Sequence, residues 1–535
     1  MRAILVAVAF SHIVARLAPA QQPAHAQQHI SAVHFQTSCA PAGQPQFDAA
    51  VAELHSFAFS TAIAHFTTVL HADQHCAVAW WGIALSEWGN PFAAGAKSAA
   101  QIRRGIAAVQ QARAIGAATP REGSYINAVA QLYEHADSLD QRQRIIAYRD
   151  ALAALIVSAP TDTEALIFHA LALAAAVDPT DKTYADQLAA GRTLERLFAV
   201  MPDHPGLAHY IIHAYDVPAL APRGIAAAHR YAMIAPEISH ALHMPSHIYT
   251  RLGTWQESIS ANVAAAAAAN REGATAEELH ASDYLVYAYL QMGRFRDAKR
   301  ILSALPGIAE RLDPTRMTTA APPAAGFYAI AAIPARYALE RGDWTAASQL
   351  VLRPGPNPQA NAMTLFAQAL GAARARDTVR ASLALAELMH MRDTLAAQHE
   401  TYWREQVEIQ RLAALAWLQL AGGKSDEALA TMQSAADHED ATEKNAVSPG
   451  PLAPSRELLG GMLLARHRNR EALTAFESTL KREPNRRRAL AGAAAAAAAL
   501  HDTRAMATYR RRLRSLCLRA DAAERGKTVC AAALE

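Results

Sequence analysis

Apolar and polar positions along the chain fall into paired helical stretches joined by short turns, with no competing strand-like alternation. Two helices in about 34 residues make a tetratricopeptide unit, whose small residues let the pair approach and whose large ones fill the gap to the next pair. The clearest instance is Leu459, Gly460, Leu463, Ala472, Phe476 and Pro484, followed by Leu285, Tyr289, Gly293, Ala298 and Leu302. Looser ones pair Tyr249, Gly253 and Ser258, then Ala338, Gly342 and Ala347, then Ala416, Gly423 and Ala428, while Ala62 and Phe66 share a helix before Cys76. The turn glycines Gly253, Gly293, Gly342 and Gly423 are unevenly spaced, so the array is degenerate and carries insertions. The expected fold is all-α, an irregular tetratricopeptide-like (TPR-like) α-solenoid of stacked antiparallel helix hairpins.

Breaks in this pattern set the expected organisation. Residues 27–312 form an N-terminal array, a Pro-rich linker covers 313–326 with Pro314, Pro322 and Pro323, a C-terminal array covers 327–520, and 521–535 is a tail. A loop from Asp437 to Pro454 begins with Glu439, Asp440, Glu443 and Lys444; its carboxylates could face the groove as acid/base groups, but a charged stretch of this kind is expected to face solvent. Two alanine tracts, 264–269 and 493–499, suit close helix packing. Trp80, Trp81 and Trp88 are expected to pack between helices.

Composition narrows the class. Hydrophobic residues make up 52% of the 535 and charged ones 19%, a globular rather than disordered balance. A net charge of +3 supplies no field to attract nucleic acid or an anionic membrane. No later stretch is apolar for the roughly 20 residues of a membrane span. The first 26 residues read as a signal peptide: Met1-Arg2, an apolar run from Ala3 to Phe10, then small-x-small sites at Ala18-Pro19-Ala20 and Ala24-His25-Ala26. A periplasmic or secreted location follows as an expectation. The four cysteines agree with it, since Cys39 and Cys76 lie near one end and Cys517 and Cys530 near the other, as if one disulfide clamped each terminus.

Candidate chemistry concentrates in the 23 histidines. His209 and His213 are at i and i+4 on a helix that Pro205 opens and Pro218 stops, with Asp216 three residues on. About thirty residues later come His240, His243 and His247, with Pro245 at a helix start. Imidazole suits zinc, copper, iron or nickel, and an i,i+4 pair is half a site. The expected metal set is therefore His209, His213, His240, His243 and His247, with Asp216 as ligand or as acceptor behind one; His209, His213, His243 and His247 are the four placed around a single ion. The bland reading is that these rings bond carbonyls and fill a groove. His280, in Glu277-Glu278-Leu279-His280, is read as part of a solvated helix. No G-x-S-x-G elbow, Walker loop, G-x-G-x-x-G or H-E-x-x-H occurs, so no reaction class follows.

From about Val33 to Arg512 the chain resembles a family of exported bacterial tetratricopeptide-repeat proteins without an assigned activity. The most specific stretches are PDHPGLAHYIIHAYD (Pro202 to Asp216) and HALHMPSHIYTRLG (His240 to Gly253), joined by DQHCAVAWWG, ARYALERGDW and EDATEKNAVSPGPLAPSRELLG. The resemblance implies the fold and export but no reaction. It also implies a site at the histidines, because His204, His209, His213, His240, His243 and His247 all sit inside its signature segments. Two functions remain in play: a scaffold binding a protein, peptide or envelope ligand on its concave face, and a metal-binding protein or metal-dependent enzyme using the cluster between residues 204 and 247.

Overall fold

The structure is a computed structural model that describes residues 33–93, 97–316 and 320–522. The expected signal peptide and Cys530 lie outside the described residues. Among them there are helices and turns and no strand. Helices pack on their sequence neighbours as antiparallel pairs, among them Gln44–His55 with Phe59–Ala72, Trp255–Arg271 with Thr275–Gln291, Pro358–Arg374 with Thr378–Ala397, and Thr401–Ala421 with Ser425–Asp440. Helices two apart in sequence also pack: Thr275–Gln291 on Pro323–Glu340, that on Pro358–Arg374, and that on Thr401–Ala421. Contacts between neighbours and next-neighbours are what stacked hairpins produce, and the fold is a TPR-like α-solenoid.

The repeat residues do what their spacing predicts. Phe476 wedges between two helices at glycines: a Cβ on Gly492 would come within 2.3 Å of its ring and one on Gly460 within 2.9 Å. Gly253 ends the helix Pro245–Leu252 with φ +67°, and a Cβ there would sit 2.0 Å from the Pro484 carbonyl oxygen. Only glycine combines that left-handed backbone with so close an approach. The approach matters because the last repeat folds back onto this turn: Trp255 Nε1 donates to the Asn485 carbonyl (3.0 Å) and Asn485 Nδ2 to the Gly253 carbonyl (3.2 Å).

Buried apolar side chains gather in two main clusters, one from Val33 to Ile248 with Ala320, the other from Trp255 to Ala520. Trp81 and Trp88 are buried in the first, as expected. Residues 313–316 form a turn and Pro323 starts the helix Pro323–Glu340, so the end of the Pro-rich segment is helical. The disulfide Cys39–Cys76 ties the start of the described chain to the second hairpin, with Cα atoms 5.0 Å apart. Closing a loop of that length is worth about 4 kcal/mol on the chain-entropy account. Cys517 is buried at the far end.

The loop after Asp437 departs from its expectation. Instead of facing solvent, it crosses the inside of the array. Glu443 is buried, bonded to Lys182 Nζ (2.6 Å) and the Tyr184 hydroxyl (2.8 Å). Tyr284 donates to the Ala446 carbonyl (2.9 Å), and Arg336 to the Gly450 carbonyl (3.1 Å). A charged run is tolerated inside when every charge meets an opposite partner, and sequence alone hides those partners some 260 residues away.

Candidate metal centre

Four helices bring the histidines together. His209 and His213 project from one face of Pro205–Ala214; His240 and His243 lie on the short helix Ser239–His243; His247 is on Pro245–Leu252; His280 is on Thr275–Gln291. Ser239 fixes the short helix, its amide donating to Glu272 (2.9 Å) and its hydroxyl oxygen lying 2.7 Å from the Glu272 carboxyl and 2.6 Å from that of Glu277. The rings form two triads, His209–His213–His240 and His243–His247–His280, the ligand atoms of each lying within 4.8 Å of one another.

The expected set is thus brought together but divided differently. His209 and His213 belong to one triad and His243 and His247 to the other, so the four do not surround one ion. His240 completes the first triad. His280 completes the second, which corrects its reading as a solvated residue: it is 8% exposed, on a helix buried on nearly all sides. The apolar run from Tyr284 to Leu290 later on the same helix, which marks a buried helix, is the signal for it.

Hydrogen bonding fixes the tautomers. His209 Nδ1 faces the His55 carbonyl (2.7 Å) and therefore carries its proton. His247 Nδ1 faces the Asp216 carboxylate (2.9 Å) and carries its own. Asn262 spends its amide nitrogen on the Ser258 carbonyl (2.8 Å), so its oxygen faces His243 Nδ1 (2.6 Å), which is the donor. In all three rings Nε2 is left with a bare lone pair. Yet His243 Nε2 and His247 Nε2 point at each other at 3.0 Å, with no proton available between them. In the other triad the single lone pair of His209 Nε2 faces both His240 Nε2 and His213 Nε2 at 3.1 Å.

Opposed lone pairs repel unless a cation sits beside both. With metal–nitrogen bonds of about 2.0 to 2.1 Å, separations of this size correspond to angles at the ion of about 90 to 100°. Burial is the first cause that lowers every one of these imidazoles, with neighbouring histidines adding to it: His209 and His280 fall to about 3, and His213, His240 and His243 go well below the usual range. For His247 burial outweighs the opposing pull of Asp216. All six are neutral at neutral pH, the form that ligates.

Behind the ligands is a supporting layer. Asp216 is the acceptor of His247 rather than a member of either triad. Its own charge is met by Arg251 Nε (2.8 Å) and Lys444 Nζ (3.3 Å). Burial pushes the Asp216 carboxyl up, but Lys444, Arg251 and His247 outweigh it and hold it well below the usual range. Carboxylate–histidine pairs of this kind orient a ligand ring and raise its basicity. Phe92 stacks on His213 with centroids 3.9 Å apart, and Phe57 lies edge-on to His209 at 4.4 Å and stacked on His240 at 5.5 Å. Phe57 holds a left-handed backbone, φ +57°, a costly conformation for a bulky residue that places its ring against the site. A cavity of about 40 Å³ opens between the triads, lined by His213, His240, His247 and His280.

A third cluster, His55–Glu164–His204, differs in kind. His55 Nε2 (2.7 Å) and His204 Nε2 (3.0 Å) both bond the Glu164 carboxylate, and His55 Nδ1 meets the Tyr210 hydroxyl (3.0 Å). Both imidazoles are paired through the carboxylate, and His204 Nδ1 alone is left without a partner.

No protein-family model matches the chain, and no curated protein does. Among solved structures, a human IFIT1 dimer with m7Gppp-AAAA aligns over 92% of this chain and 99% of its own at 10% identity and TM-score 0.37. The P58(IPK) TPR domain aligns over 70% of this chain and 98% of its own at 15% identity and TM-score 0.21. Likenesses this slight carry no argument; the class, a TPR-like α-solenoid, rests on the helix packing of the chain itself.

Proposed function

We propose that this chain is an exported metal protein whose six clustered histidines hold two transition-metal ions, one per triad, inside an α-solenoid. The observation that carries the reading is the His243–His247 imidazole–imidazole contact, where hydrogen bonds have already committed both ring protons elsewhere. The buried second layer of Asp216, Asn262 and the His55 carbonyl supports it, since such partners orient ligands. The Cys39–Cys76 disulfide supports an oxidising, extracytoplasmic compartment. No described helix is long and apolar enough to cross a membrane. Elemental analysis of protein purified without a histidine tag is expected to give two ions per chain. Absence of stoichiometric metal, with His213→Ala and His247→Ala leaving stability unchanged, would contradict the proposal.

The scaffold reading keeps one supporting observation. Val379 and Leu383, one turn apart on Thr378–Ala397, are 71% and 66% exposed, an apolar pair that a protein or peptide partner would cover. It uses an outer helix rather than the concave side, which the 441–454 segment crosses. Leu383→Glu should abolish any partner retained from an envelope extract; retention unchanged by it would remove this surface.

A further inference from the structure

The triads contain no carboxylate, and this bears on which metal they take and for what. Building on the two-ion reading above, we infer that they form a coupled dicopper centre that binds dioxygen in the cavity between them. Imidazole nitrogen suits copper, whereas the paired iron or manganese sites of helical bundles are built with glutamates that offset the ions' charge. Here the nearest carboxylate, Asp216, is spent on His247, Arg251 and Lys444. Two dications repel about four times as strongly as two monocations at the same distance. A ligand set that is wholly neutral therefore favours a pair of copper(I) ions at rest.

The triads also face each other closely. Ring centroids of His213 and His247 are 6.2 Å apart and those of His240 and His243 6.3 Å apart, across the gap, against 6.4 Å for His213 and His240 within one triad. The cavity takes two histidines from each side, and Ala320, Ala321, Pro322, Ala446 and Val447 supply apolar wall. No cationic side chain lines it, so it is not built for phosphate or a carboxylate. A volume of about 40 Å³ exceeds the roughly 10 to 15 Å³ that one water requires, which leaves room for a diatomic molecule. A small neutral molecule that can bridge two reducing ions fits these limits, and dioxygen is one. In the binding step each copper(I) gives up one electron and becomes copper(II). Dioxygen accepts both, its π bond breaks, its σ bond remains, and the resulting peroxide bridges the two ions without a proton being needed.

The test uses untagged full-length protein, stripped with chelator, loaded anaerobically with copper(I)–acetonitrile and mixed with dioxygen. The expected result is two coppers per chain, one dioxygen taken up per copper pair, an intense near-ultraviolet absorption, and no copper EPR signal because the two copper(II) spins couple. His280→Ala should bind one copper and take up no dioxygen; should it fail to fold, His213→Gln in the other triad tests the same point. Two coppers bound without dioxygen uptake, or with the EPR signal of two isolated copper(II) ions, would overturn the dioxygen reading and leave the two-ion reading standing. Fewer than two bound coppers would overturn both.

Discussion

Two histidine clusters lie side by side in this protein, and only one of them is bridged by a carboxylate. At His55–Glu164–His204 a carboxylate sits between the imidazoles and accepts from both. At the two triads imidazole meets imidazole, and the groups that would normally accept have already taken the far nitrogens. Density of histidine is the same kind of signal in both places, so it does not distinguish structure from function. The direction of the protons does.

The comparison is most sharply tested by removing the carboxylate. Glu164→Leu leaves two buried imidazoles without their partner and should cost about 3 to 5 kcal/mol in denaturant unfolding, the range for breaking a buried pair. Metal content should stay at two ions per chain; a fall to zero would mean the clusters are one site. The pH dependence carries its own sign. Burial pushes the Glu164 carboxyl up, but His55 and His204 overcome this and hold it far below its usual range. Its stabilisation is therefore fully present above the unfolded value near 4.5 and lost as pH falls below that. The cost of Glu164→Leu should be flat from pH 6 to 8 and shrink on acidification toward pH 3.

Next comes loss of a ligand. His243→Ala removes one of two opposed lone pairs, so the metal-free protein should keep or gain stability in thermal unfolding while metal content falls from two ions to one. A loss of several kcal/mol without metal would mark His243 as ordinary core. Smaller again is Asp216→Asn, which keeps an acceptor for His247 but removes the charge; competition against a chelator should show affinity weakened about 10 to 100-fold. An unchanged affinity would make Asp216 a partner of Arg251 and Lys444 alone.

The parts of this account that were legible in the sequence are those with a fixed local geometry. Helical spacing predicts the repeat and the pair His209/His213, because i and i+4 on one helix share a face whatever surrounds them. It did not give the division into triads, which depends on which faces meet. His240 is three residues from His243 yet serves the other triad, and His280 arrives from a helix whose acidic first turn, Glu277 and Glu278, reads as solvated. Glu278 and Glu277 are themselves covered, by Arg311 and by Ser239. The 441–454 segment is hidden for the same reason, since Glu443 meets Lys182 and the Gly450 carbonyl meets Arg336, partners that no local pattern connects to it.

The most direct measurement is anomalous diffraction at the absorption edge of the metal found in untagged crystals. The account predicts two peaks, one among the Nε2 atoms of His209, His213 and His240 and one among His243, His247 and His280, with none at Glu164. A single peak shared by His209, His213, His243 and His247, a peak at Glu164, or none at the histidines would contradict it.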